Sequence, residues 1–104
     1  MRIEAILRQL KEELISIYGD RLRDLVLYGS WARNEGTEDS DIDVAVVLDG
    51  EVKPGREIDR LIDIITDLNL KHRVLISIYP VSARDFSTLR SPLLINVRRE
   101  GVRI

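Results

Sequence analysis

A chain of 104 residues, 44% hydrophobic and 33% charged, has the size and balance of one soluble domain, 1–104, whose core needs no metal or disulfide staple. With no cysteine and one histidine, it excludes a disulfide framework, a thiolate nucleophile and a Cys-based zinc site. Sixteen Lys and Arg against eighteen Asp and Glu leave a net charge of −2, which argues against broad nucleic-acid or membrane binding. The apolar runs are short and broken by charge, which suits a cytoplasmic protein.

In residues 2–18, Ile3, Ile6, Leu7, Leu10, Leu14 and Ile17 keep the three-and-four spacing of an amphipathic helix, which Gly19 ends. Residues 24–28 form a short apolar run stopped by Gly29 and Ser30, which predicts a buried strand. Residues 31–40 carry Asn34, Gly36, Thr37, Asp39 and Ser40 and predict a loop that opens with one helical turn. Residues 41–48 become wholly apolar after Asp43 and predict a central strand.

Pro54 starts a second amphipathic helix through Ile58, Leu61, Ile62, Ile65 and Leu68, with His72 as a turn residue beyond it. Residues 73–79 alternate as a third strand, which Pro80 closes. Ser82 and Asp85 have capping-box spacing for a short helix, and Ser91 with Pro92 opens another that ends at Gly101. Arg98, Arg99 and Arg103 are expected to solvate that helix end. Only a loop separates the first two strands, so the fold class is α+β, a small mixed sheet flanked by helices.

The chemistry lies between Gly29 and Val44. In a strand, residues two apart share a face, so Asp41 and Asp43 leave one side with Ala45 and Val47, while Ile42, Val44 and Val46 face the other. Neighbouring carboxylates repel unless a cation sits between them, and oxygen-only ligation favours magnesium or manganese over zinc. Gly29 allows close backbone approach to a phosphate, the Ser30 hydroxyl and following N–H groups can hold its oxygens, and Arg33 can add a forked donor. These parts describe a metal–nucleotide site for displacement at phosphorus.

The run from Leu27 through Tyr28, Gly29, Ser30, Trp31 and Ala32 to Arg33, followed by Ser40, Asp41, Ile42, Asp43 and Val44, resembles the signature of the polymerase-β-type nucleotidyltransferases. It is most similar to the minimal nucleotidyltransferases, which often serve as antitoxins to HEPN-domain toxins. The resemblance implies a polymerase-β-like fold and magnesium-dependent transfer of a nucleoside monophosphate, usually AMP from ATP, onto a partner hydroxyl. Carried over, Gly29 and Ser30 hold the triphosphate, Asp41 and Asp43 bind the metal, and Arg33 and Ser40 are further nucleotide-contact candidates. The implied partner is a HEPN-domain protein. Exposed apolar faces would also be compatible with a homo-oligomer.

Two positions depart from the pattern. Asn34 replaces the usual glycine, a mild change because Asn tolerates a left-handed backbone. Many relatives place a third carboxylate on the next strand, where this chain has no acid and Ser77 is expected. Either another acid such as Asp49 serves, or the chain is a weak or inactive module that binds nucleotide or neutralises a partner by contact. Taken alone, the Gly29 and Ser30 turn, Arg33 and the two aspartates each have bland readings as a turn, a surface cation and solubilising charges. Their combination tips the balance. Trp31 is either packing under the loop or an exposed contact.

Overall fold

Antiparallel pairing of Leu22–Tyr28 (β1) with Ile42–Leu48 (β2) forms the centre of the fold. The computed structural model describes residues 3–104. In chain order the remaining elements are α1 (Ile3–Tyr18), α2 (Pro54–His72), β3 (Ile76–Ser82), α3 (Ala83–Thr88), α4 (Pro92–Glu100) and β4 (Val102–Arg103). The sheet order is β3-β2-β1-β4, with β2 and β3 parallel and β1 antiparallel to both its neighbours. A mixed sheet flanked by helices is therefore what the chain builds.

The period-two pattern sorts the core. Leu25, Leu27, Ile42, Val44, Val46 and Leu48 pack on one face against the stripe of α1 and α2 that includes Leu10, Leu14, Leu61 and Ile65. On the other face Val26, Ala45 and Val47 meet Val81, Leu94 and Val97. Helix starts follow the side chains read as caps. Ser82 Oγ accepts from the Asp85 N–H at 3.0 Å, and Ser91 Oγ from the Leu94 N–H at 3.1 Å.

Several boundaries differ from expectation. The first helix begins at Ile3 among the described residues, and Arg2 lies outside them. His72 is the last residue of α2, not a turn beyond it, and its Nε2 lies 2.8 Å from Gln9 Oε1 on α1. The turn falls instead at Arg73, in the left-handed region with φ 55°.

Pro80 does not close β3, which continues to Ser82. β3 is an edge strand, and the Ile76 N–H on the same side donates to Asn69 Oδ1 rather than to β2. Pro80, four residues on, therefore lacks an N–H only where no strand would receive it. Arg103 does not solvate a helix end. It lies in β4 opposite Val26, with its Nε 3.7 Å from Asp24. Two residues are too short a run for periodicity to announce, and they are ordered only by β1.

Glu57 went unremarked as one residue among many acids. It is 2% exposed, accepts the Tyr18 hydroxyl at 2.8 Å, and lies 3.5 Å from Arg21 and 3.8 Å from Arg60. This cluster ties the start of α2 to the end of α1. Glu57→Ala leaves the Tyr18 hydroxyl without its acceptor and removes the counter-charge of Arg21 and Arg60, and is expected to cost about 3 kcal/mol. Urea unfolding checks this, with Glu57→Gln costing less.

Candidate active site

The register of β1 and β2 sets Tyr28 opposite Asp43, so the chain leaving β1 turns directly beside that carboxylate. Gly29 makes the turn at φ 77°, and a Cβ there would run into Asp43 Oδ2. The left-handed backbone disfavours a residue with a side chain there, and a Cβ would also displace the Asp43 carboxylate. The next residues wind into one helical turn, in which the Ala32 and Arg33 N–H groups donate to the Gly29 carbonyl at 3.1 and 3.3 Å. Asn34 closes it at φ 60°, the left-handed conformation its side chain tolerates.

Asp41 sits immediately before β2, exposed, and Asp43 is half-buried one residue into it. Burial raises the pKa of the Asp43 carboxyl above the ordinary aspartate value. The charge of Asp41 raises it further, and Arg33 partly offsets both. Asp43 lies on the face of the sheet against which Gly29 is folded, and the charge of Asp41, which precedes the strand, reaches it. Tyr28 and Tyr79 lie on the same face. Burial pushes the Tyr28 hydroxyl to about 12, helped by the charge of Asp43, so it stays protonated at neutral pH.

On the other side of β2, Ser77 of β3 is in register with Asp43 and is exposed. The expected position of a third carboxylate thus holds a neutral hydroxyl. Asp49 cannot stand in. It follows β2 at its opposite end, roughly 20 Å from Asp43 along an extended strand, and is paired with Arg23 at 3.0 Å. Among the described residues no three His, Asp or Glu side chains gather as a metal-ligand set.

The remaining candidates have other attachments. The Ser30 carbonyl accepts from Arg33 and Glu35, and its hydroxyl makes no hydrogen bond among the described residues. Ser40 Oγ instead accepts from the Thr37 N–H at 3.0 Å and closes the turn before Asp41. Trp31 packs against the core under the loop, with its Nε1 3.5 Å from the Ser40 carbonyl. Arg33 bonds to Glu35 at 2.6 Å and to Glu100 at 3.0 Å. The second of these spans 67 residues, and no local pattern announces it.

The two carboxylates fit a hard divalent cation. Their donors are oxygen only, their like charge is only partly offset by Arg33, and waters or phosphate oxygens would fill the rest of its shell. What the arrangement offers chemically is an anion-accepting turn beside an acidic pair.

The family model described as a nucleotidyltransferase domain matches residues 7–100. A candidate protein adenylyltransferase of Methanocaldococcus jannaschii is 30% identical over 104 residues, covering all of this chain and all of its own. A second from the same organism is 38% identical over 77 residues, which are 74% of this chain and 71% of its own. The crystal structure of a toxin-antitoxin with AMP-PNP shares the fold, with a TM-score of 0.62 and 19% identity. It aligns with 88% of this chain and 66% of that chain.

The Asp43 shift sets a pH dependence of stability. Unfolded, the carboxyl loses its proton in the ordinary aspartate range, while the folded protein holds it to higher pH. Stability therefore falls as pH rises from the ordinary value through the raised one, and stays lower above both. In metal-free buffer Asp43→Asn should melt higher than the parent at pH 7, with the gap closing at pH 3. An equal gap at both would refute the assignment.

Proposed function

Since the chain belongs to the nucleotidyltransferase domain family, we propose that it moves a nucleoside monophosphate, AMP from ATP, onto a hydroxyl of a partner protein, with a magnesium or manganese ion held by Asp41 and Asp43. The observation that carries this reading is the Gly29 turn folded against Asp43, which brings a phosphate-accepting backbone beside a cation-accepting pair.

Gly29 lets the polyphosphate approach the backbone, and the Ser30 hydroxyl is available to one of its oxygens. Asp41 and Asp43 hold the cation, which when bound neutralises charge at the phosphates. The acceptor oxygen bonds to the α-phosphorus as the bond to the leaving pyrophosphate breaks. Ser77 offers no base for the acceptor proton, which then passes to water. A protein acceptor is supported by the names of the curated relatives, and a toxin, of the HEPN class by the sequence resemblance, by the assembly of the structural neighbour. The exposed Ser77 also favours a second reading, in which the chain binds nucleotide and neutralises its partner by contact with little turnover.

The test incubates the protein with the product of its neighbouring gene, radiolabelled ATP and magnesium. Label should pass to the partner, and Asp43→Asn should lower the rate by about a hundredfold or more. Ser77→Asp should raise it by restoring an acid beside Asp43. Neutralisation of the partner without label, by the parent and Asp43→Asn alike, would support the second reading.

A further inference from the structure

We propose that Glu100 is a positioning residue for the nucleotide, acting through Arg33, whose guanidinium it holds against the turn that follows Gly29. The inference rests on the nucleotidyltransferase reading of that turn.

Arg33 follows Gly29 by four residues and lies near enough to Asp43 for its charge to favour the ionised carboxylate. Two carboxylates hold it, and they are not equivalent. Glu35 belongs to the same loop, is 65% exposed and moves with whatever Arg33 does. Glu100 is 27% exposed and stands on the last residue of α4. Of the two carboxylates, only Glu100 ties the Arg33 side chain to an element outside its own loop.

That residue is itself fixed on both sides. Before it, Leu94 and Val97 bury the inner stripe of α4. After it, the Gly101 N–H donates to the Val97 carbonyl at 2.8 Å, and there is no space for a Cβ between Val26 and that carbonyl. Val102 and Arg103 then pair with Leu27 and Val26. The chain thus closes a circuit: β1 runs into Gly29 and Arg33, Arg33 grips Glu100, and Glu100 leads through Gly101 back onto β1.

The grip leaves Arg33 usable. A guanidinium has five N–H donors, of which Nε serves Glu35 and Nη1 serves Glu100. Nη2 has no partner among the described residues and remains for an anion at the turn. The short β4, unexplained by the sheet's own needs, acquires a purpose as the anchor of this contact.

A positioning role and a bystander role differ in sign. If Glu100 merely added negative charge near a polyphosphate, removing it would tighten binding. If it positions Arg33, removing it weakens binding despite the lost repulsion. Calorimetry of ATP with magnesium on the full chain distinguishes them. Glu100→Ala should weaken binding about three- to fivefold, while Glu100→Gln, whose amide oxygen still accepts, should bind nearly as the parent does. In an Arg33→Met background Glu100→Ala should have no further effect.

Unchanged or tighter binding by Glu100→Ala would overturn the proposal, as would an equal loss with and without Arg33. Either result would leave the nucleotide site itself standing. A parent that binds no nucleotide would instead overturn the reading of the site, and the proposal with it. In turnover, the same variant should raise KM for ATP and leave kcat near the parent's, a split that a general loss of folded protein would not produce.

Discussion

The pairing of Tyr28 with Asp43 is the contact on which the rest of the site depends. It ends one strand beside the start of the next, so the thirteen-residue return from Gly29 to Asp41 must begin with a sharp turn over a carboxylate. Glycine makes that turn without strain, whereas a Cβ there would displace the Asp43 carboxylate. The ladder of backbone hydrogen bonds, and not any affinity between the two residues, holds them together. A slip of one residue would send Asp43 to the α1–α2 face and Val44 to the site.

The molecule treats the carboxylates of Glu57 and Asp43 in opposite ways. At the far end of the sheet Glu57 is enclosed and satisfied, with a tyrosine hydroxyl and two guanidinium groups around it. At the near end Asp43 faces another acid, and the charge of Arg33 offsets only part of the cost. Enclosed charge that stabilises a fold is paired within the fold; charge left uncompensated marks where an outside ligand completes the balance. The cost falls on stability and is tolerable because Asp43 remains partly open to water.

Arg33 is a loop residue that is held rather than free. Its ties to Glu35 and Glu100 lower the conformational freedom that a long side chain would otherwise lose on gripping an anion. β3 contributes no acid, as its sequence required, and Ser77 brings a hydroxyl to the position in register with Asp43. The site is therefore built mainly from β1, β2 and the loop between them.

How much of this was legible in the sequence follows the range of each interaction. Local rules located the elements: the three-and-four spacing of α1, the caps at Ser82 and Ser91, the left-handed Asn34, and the period-two placement of Asp43 on the face of Ala45 and Val47. The family resemblance pointed to Ser77, and the parallel register of β2 and β3 sets it beside Asp43. Local rules failed where a partner lies far along the chain. Pro80 could be read through only once β3 proved to be an edge, with Asn69 meeting its outer side. β4, the Glu57 cluster and the Arg33–Glu100 contact exist because strand pairing brings distant segments together. Periodicity and capping act within a few residues and are written in the chain, whereas which charge meets which across 67 residues is decided by tertiary packing alone.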